Sequence, residues 1–399
     1  MDFSFSEEHE VFRRELVNFL AEVLPDDWNA LDIESPYSPS NLQFTREMAT
    51  TLSEKGWLTM AWPEEFGGQG RSILEQLIYR EEMSYHSVPG SDLGTGAISW
   101  VGPTLMIAGT DQQKKEHLPP IAKAERYWCT LYSEPGSGSD LASLQTSAIR
   151  DGDDFVVNGS KIWTSAAQIA DWIFCLTRTD DSGIKQKGIT FLLFPMKQEG
   201  IEVKPIITLG GAHSVNTVHF TDVKVPVENR IGEEGKGWTY AKGLLQHERT
   251  GLAGLSRSLV ALESLKEDAQ SVIRGNGTLM DDSGYKAKIA ELEIDLMASE
   301  YTELRCLASA AAGAELGPES SILKLKGTEI QQRIQKLKVE ASGIYSPAWG
   351  DQTVGLPFAK SGTAGYLASR AYTIYGGASE VQRDVIAKNV LGLTKKSTK

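Results

Sequence analysis

Tyr132-Ser133-Glu134-Pro135-Gly136-Ser137-Gly138-Ser139-Asp140, followed some twenty residues later by Lys161-Ile162-Trp163-Thr164-Ser165, is the pair of segments on which the reading of this chain turns. The first is a turn rich in backbone donors and hydroxyls. Gly136 and Gly138 let the main chain approach a flat or anionic group, while Ser133, Ser137 and Ser139 offer hydrogen bonds. Asp151-Gly152 and Asn158-Gly159 lie between the two segments, and both are hairpin-turn dipeptides, so antiparallel strands are expected here. A large aromatic face at Trp163, two residues before the hydroxyl of Ser165, suits a planar heterocycle.

Outward from this stretch the pattern changes on both sides. Between about Trp128 and Val227, short apolar or alternating runs (Phe155–Val157, Trp172–Leu176, Ile189–Phe194, Val218–Phe220 with Val223–Val225) are separated by Gly, Asp, Asn and Pro. They predict a compact antiparallel β domain. Before it, Ser6 can cap a helix carrying Phe12, Leu16, Phe19, Leu20 and Val23 on one face. A Pro-rich break over Ser35–Ser40 follows, then helices over Leu42–Lys55, Ile73–Tyr85 and Lys114–Lys123, with a turn at Gly67-Gly68-Gln69-Gly70. After Gly237 the helical period returns over Trp238–Ala269, Tyr285–Ala312, Glu319–Ser342, Gly362–Tyr375 and Ser379–Leu391. Gly275-Asn276-Gly277 is a loop and Tyr345–Ala359 an irregular excursion. The fold class is therefore a mainly helical α+β chain: an N-terminal helical domain (1–126), a middle antiparallel β domain (127–236) and a C-terminal four-helix bundle (237–399).

Composition sets limits. With 399 residues, 41% hydrophobic and 23% charged, the chain is an ordinary globular one with room for sizeable cores. Its 40 basic and 53 acidic residues leave a formal charge of −13, which argues against a nucleic-acid or anionic-membrane surface. Cys129, Cys175 and Cys306 are far apart, with no Cys-x-x-Cys, so neither a disulfide framework nor a zinc site is expected. His213 and His219 lack a third ligand at suitable spacing, and no metal is expected there. No apolar run reaches roughly eighteen residues, so no membrane span is expected. Met1–Glu8 is acidic, without a basic or apolar leader pattern, and a cytoplasmic protein is the expectation.

The order of helices, β domain and helical bundle, together with five motifs, resembles the acyl-CoA dehydrogenase family over essentially the whole chain. The motifs are Ser-Glu-Pro-Gly-Ser-Gly-Ser-Asp (133–140), Asp171–Cys175, Asn229–Gly237 leading to Trp238, His247-Glu248-Arg249-Thr250-Gly251, and Ile374–Arg383. Within the family the chain is most similar in flavour to the large subunit of pimeloyl-CoA (dicarboxylyl-CoA) dehydrogenase. The resemblance implies FAD as cofactor, an acyl-CoA substrate and an electron-transfer flavoprotein as electron acceptor. It implies flavin contacts at Thr130, Leu131, Tyr132, Ser133, Ser139, Trp163, Thr164, Ser165, Ala378 and Glu380, and substrate contacts at Ser139, Arg249 and Gly377.

Desaturating a thioester between Cα and Cβ requires a base for the α-proton, donors for the carbonyl as it gains enolate character, and a hydride acceptor. Most family members carry the base between the tyrosine and glycine of the C-terminal motif. Here that position is Gly376, which keeps only a backbone N–H to bind the thioester oxygen. A minority resemble this chain in placing a glutamate on a bundle helix just before an arginine, which points to Glu248 as the base. Three departures fall at the adenosine end of FAD: Arg274–Met280 lacks a Phe-Gly, Glu340-Ala341-Ser342-Gly343 replaces Gln-x-x-Gly-Gly, and Ala378 replaces a usual threonine. They depart from a symmetric cross-subunit site and fit a heteromeric partner that supplies or omits those contacts; the assembly the resemblance implies is a homo-oligomer or a complex with a paralogous acyl-CoA dehydrogenase subunit. Two further readings stay open: a non-catalytic subunit that binds acyl-CoA or stabilises a partner, and an oxidase of the same fold.

Overall fold

The computed structural model describes residues 5–25, 37–94, 96–181, 183–242, 253–313, 317–347 and 355–393. The N-terminal layer is built of α1 (Glu7–Val23), α2 (Leu42–Glu54), α3 (Ile73–Tyr85), α4 (Gly102–Ala108) and α5 (Asp111–Ala122). Ser6 caps α1 by accepting from the His9 N–H, and the helix buries Phe12, Leu16, Phe19 and Leu20, the apolar stripe expected. Helices α3 and α5 start in reciprocal capping boxes, Ser72 with Glu75 and Thr110 with Gln113. A π-turn over Ala97–Val101 leads into α4 and has no periodic signature in the sequence.

The middle layer is one sheet of β1 (Trp128–Leu131), β2 (Ser147–Asp151), β3 (Asp154–Ser165), β4 (Trp172–Arg178), β5 (Ile189–Pro195), β6 (Ile201–Ile207), β7 (His213–Pro226) and β8 (Arg230–Ile231). Its order is β6-β7-β3-β2-β4-β5-β8, with β1 added beside β4. The expected all-antiparallel sheet is in fact mixed: β1 runs parallel to β4, and Ser147 of β2 meets Arg178 of β4 in parallel register. Asp151-Gly152 does turn the β2–β3 hairpin, with Gly152 at φ +62°. Asn158-Gly159 does not turn. It lies inside β3 at a register shift against β7, where Gly159 adopts φ +144° and a Cβ would stand 2.8 Å from Thr146 Cα. The Asn158 side chain instead bridges to Asp222, donating to Oδ1 and accepting from its N–H. An Asn-Gly pair thus serves a bulge as readily as a hairpin, because both need a residue outside the ordinary β region.

The C-terminal layer contains α6 (Leu255–Ser271), α7 (Ser283–Ala311), α8 (Ser320–Ser342), α9 (Ala359–Ala368) and α10 (Ser379–Val385). A single helix over Trp238–Ala269 is not formed: Gly254 sits at φ +58° and α6 begins after it. The segment expected as a helix over Gly362–Tyr375 changes at Ser369 into a 3₁₀ turn, and the last helix passes into a π-turn at Ile386. Gly275-Asn276-Gly277 closes a two-stranded ribbon of β9 (Ile273–Arg274) and β10 (Gly277–Thr278). Leu262, Leu265, Leu292, Leu296, Leu323 and Ile330 form the bundle core. A second core joins the N-terminal helices to the sheet through residues such as Trp62, Trp128, Phe174 and Phe191. Burial of these large apolar groups is the main cohesive term, roughly 1.5–3 kcal/mol for each side chain.

Candidate active site

The turn after β1 is tied to β3 before any ligand is considered. Ile162 donates its N–H to Ser133 O at 2.9 Å, and Glu134 and Ser137 exchange backbone hydrogen bonds at 2.9 and 3.0 Å. Beneath the turn the fully buried Lys161 ammonium donates to Tyr132 O at 3.1 Å and to Glu134 Oε1 at 2.8 Å. The Glu134 carboxylate also accepts from the N–H groups of Gln145 (2.6 Å) and Thr146 (2.9 Å). Burial pushes this carboxyl up, but the Lys161 charge and these hydrogen bonds outweigh it and hold it below its ordinary value. Beside the pair, burial pushes the Cys175 thiol up to about 12, so it remains neutral.

This brace fixes the two segments that opened the sequence reading. Thr130 and Leu131 lie in β1 opposite Phe174 and Cys175. The Tyr132 ring stacks on Trp100 with centroids 5.5 Å apart and planes 10° from parallel. Ser133 is half-buried and Ser139 exposed. A Cβ placed at Gly136 or Gly138 would meet nothing within 4 Å, so both glycines face open space.

Trp163 sits where β3 slips against β7 between Lys161 and Thr164. Its φ is +61°, a conformation that costs a non-glycine residue about 1–3 kcal/mol, and its ring is 58% exposed. An indole held outward by a strained backbone is unusual for a residue that serves only packing. Thr164 next to it is buried, and its Oγ1 finds no hydrogen-bond partner among the described residues. Asn216 of β7 donates to Thr164 O (3.1 Å) and Gln168 Oε1 (2.7 Å), and its own Oδ1 is engaged by His213 Nε2 at 2.8 Å. Ser165 pairs with Val215.

The opposite wall comes from the bundle. Gly376 and Gly377 are consecutive left-handed residues, with φ +61° and +89°. Among the described residues their N–H groups have no acceptor, while their carbonyls accept from side-chain donors. Gln382 donates to Gly376 O (3.4 Å) and Gly377 O (3.2 Å), and the Lys324 ammonium donates to Gly377 O at 2.9 Å. Ala378 is the N-cap of α10, whose first residue, Ser379, is buried with its hydroxyl unpartnered among the described residues. Glu380 is exposed and lies 3.8 Å from Arg383. Glu340, at the departure noted in the sequence, is engaged by Lys288 at 2.6 Å.

Sheet and bundle touch near both groups of residues. The loop between β6 and β7 packs on α9: a Cβ at Gly210 would stand 3.0 Å from Ala364 O and Ala368 Cβ. That loop is the continuation of the register that carries Thr164 and Ser165 (opposite Asn216 and Val215), and α9 leads within eight residues to Gly376. Glu248 and Arg249 lie outside the described residues. An outward aromatic face, an orphaned buried hydroxyl beside it and free backbone donors on the bundle side fit a flavin and a polarised carbonyl. Sequence reasoning quoted Glu134 and Lys161 without seeing that they pair, and missed Lys324 and Gln382. For Lys324 the signal was present: it falls on the buried stripe of Leu323, Gly327 and Ile330, where a lysine needs a partner.

Three family models match successive parts of the chain: "Acyl-CoA dehydrogenase, N-terminal domain" over residues 6–125, the middle domain of the same family over 129–223, and its C-terminal domain over 235–391. The chain is similar to "Acyl-CoA dehydrogenase FadE26" of Mycobacterium tuberculosis, at 35% identity over 98% of this chain and 99% of the relative. Among solved structures it is similar to the "Tcur3481-Tcur3483 steroid ACAD" (32% identity, TM-score 0.87, 99% and 100% of the two chains). It is also similar to a chain of the ChsE4-ChsE5 complex from Mycobacterium tuberculosis (34% identity, TM-score 0.85, 99% and 100%).

Proposed function

The chain belongs to the acyl-CoA dehydrogenase family of FAD oxidoreductases, and from that premise we propose that it desaturates an acyl-CoA thioester at Cα–Cβ with Glu248 as the α-proton base. The observation that carries the reading is the Gly376–Gly377 turn, whose N–H donors have no acceptor among the described residues while its carbonyls are held by Lys324 and Gln382. Bound FAD supplies the acceptor for the β-hydride. Trp163, Thr164 and Ser165, with the backbone from Thr130 to Ser133, hold its ring. Ser139, Ala378 and Glu380 contribute at the edges. The Gly376 N–H receives the thioester oxygen as the α-proton leaves, so negative charge develops next to a donor already in place. Gly377 lets the acyl chain pass close to the backbone, and Ser139 and Arg249 contact the CoA arm. Electrons leave to an electron-transfer flavoprotein.

Two refinements come from the relatives. The name of one solved structure carries a steroid, so a ring-bearing acyl group is the substrate favoured here over the dicarboxylyl chain, for which no cation is identified. Two of the structures are named as pairs of chains, and the changes at Arg274–Met280, Glu340 and Ala378 fit a paralogous partner that completes the adenosine end of FAD. The competing reading, a non-catalytic subunit, is favoured only by the missing carboxylate at Gly376.

The test is Glu248→Gln in a single anaerobic turnover. Positioned general-base catalysis is worth about 10²–10⁴-fold, so flavin reduction should slow by that factor while FAD and acyl-CoA still bind. Reduction at the wild-type rate refutes Glu248. A protein colourless with and without its partner chain establishes the non-catalytic reading instead.

A further inference from the structure

Lys324 is a buried cation beneath the Gly376–Gly377 turn. It lies in the first turns of α8, is completely buried, and extends its ammonium across the bundle to Tyr372 O (3.0 Å) and Gly377 O (2.9 Å). Burying a lysine ammonium is costly unless its donors are used, so a site that does so gains little from it as packing. The two acceptors bracket Gly376: one carbonyl lies four residues before it and one directly after. Gln332, two turns further along the same helix, donates to Ser369 O (2.9 Å) and Thr373 Oγ1 (3.2 Å). Gln382 holds the carbonyls of Gly376 and Gly377 from α10.

Ile374 and Tyr375 carry this stretch on from its 3₁₀ turn by donating to Ala371 O, but the two glycines after them donate no backbone bond among the described residues. Both glycines are left-handed, and glycine has the widest choice of φ and ψ of any residue. What restricts it is the set of side chains that clamp its carbonyls on the inner side. Holding the carbonyl of Tyr372 before Gly376, and those of Gly376 and Gly377 after its N–H, restricts the path of the chain through Gly376 and with it the direction of that N–H.

We infer that Lys324 is the positioning residue of the oxyanion donor: its ammonium sets the Gly376–Gly377 turn so that the Gly376 N–H is aimed at the thioester oxygen, and so makes the α-proton of bound substrate more acidic. The inference rests on the dehydrogenase reading above. Lys324 touches neither substrate nor flavin and acts through the turn.

A 3-thia-acyl-CoA separates this role from stability. Its α-proton is acidic, the sulfur at the β-position has no hydride to give, and its enolate shows a long-wavelength charge-transfer band beside oxidised flavin. The pH midpoint of that band is measured in the FAD-loaded assembly for wild type and Lys324→Met, together with FAD content and melting temperature. Lys324→Met keeps length and removes the donors. Its midpoint should rise by about one pH unit or more, a tenfold loss of acidity, against roughly 10²–10³-fold for complete loss of an oxyanion donor. Lys324→Arg, which keeps the charge and the donors, should recover part of the shift. Should Lys324→Met not fold, Gln382→Leu decides, since it removes a second clamp on the same carbonyls and should shift the midpoint in the same direction by about threefold. An unshifted midpoint in the folded variant, with a normal wild-type band, overturns the inference alone. A wild-type complex with no band overturns the dehydrogenase reading, and the inference with it.

Discussion

The two turns proposed as walls of the site, Tyr132–Asp140 from the sheet and Ile374–Ala378 from the bundle, are both held from beneath by a buried lysine, but they are held differently. Lys161 belongs to the strand next to its turn, and its ammonium meets a carboxylate, Glu134, that is part of the turn itself. Strand pairing, the Tyr132 carbonyl and two N–H donors to Glu134 surround it. Lys324 reaches its turn from a helix some fifty residues away in sequence and grips main-chain carbonyls. The first turn is a platform tied to β3, the strand that carries the strained Trp163. The second is a pliable segment given its shape by a few side chains. The sheet side suits a cofactor that stays; the bundle side suits a thioester that comes and goes.

The sharpest way to break this comparison is Lys161→Met. It leaves the Glu134 carboxylate buried without its cation, and removing one partner of a buried pair costs about 3–5 kcal/mol. Urea unfolding should show a loss of that size, with the double variant Lys161→Met/Glu134→Gln recovering part of it. A loss below about 1 kcal/mol would mean the sheet turn is no more dependent on its lysine than a surface loop.

A smaller effect is expected at the other turn. Gly377→Ala places a Cβ against Gln382 Nε2 at φ +89°, a left-handed conformation that costs an L-residue roughly 1–2 kcal/mol. The same melt should register that cost, and substrate-dependent flavin reduction should fall further than stability does if the turn carries the proposed donor. Equal and slight losses in both would argue that this turn is held as firmly as the first.

Smaller again is Trp163→Ala, which should weaken FAD retention by about 0.5–1.5 kcal/mol and perturb the visible spectrum. Dialysis against a flavin-free buffer, followed by absorbance, measures it. Unchanged retention would remove Trp163 from the flavin face.

The gentlest test is pH. Glu134 is held below its ordinary value in the folded state, so the folded protein binds fewer protons than the unfolded one as pH falls through the acidic range. Its contribution is therefore complete above the unfolded carboxyl value of 4.5 and is lost as pH drops through the lower folded value. Wild type should lose stability with falling pH more steeply than Glu134→Gln in that window. Parallel curves would show that Glu134 titrates as it does in the unfolded chain.

Most helices were legible because capping and periodicity are local. Ser6 and Ser72 start helices where hydroxyl and carboxylate spacing say they should. The strands Trp172–Arg178 and Ile189–Pro195 announce themselves as apolar runs. β1 and β6 did not. β1 is a four-residue strand buried beside a parallel neighbour, and β6 alternates with polar residues and a proline at the sheet edge. Gly254, in a run that otherwise reads as continuous helix, shows that a glycine's cost in a helix is overruled or expressed according to what packs on it.

The amino-acid sequence by itself determined the family, the order of the three layers and the chemistry offered at each wall. A motif states which groups are present, and helix and strand periods depend on neighbours a few residues apart. Tertiary structure alone decided that Glu134 and Lys161 form one buried pair, that Asn158-Gly159 is a bulge, that Trp163 faces outward, and that Lys324 clamps the Gly376 turn. Each of these joins residues separated by tens of positions or sets a side chain's direction. Such relations arise only when burial forces charged and polar groups to find partners wherever the fold has brought them.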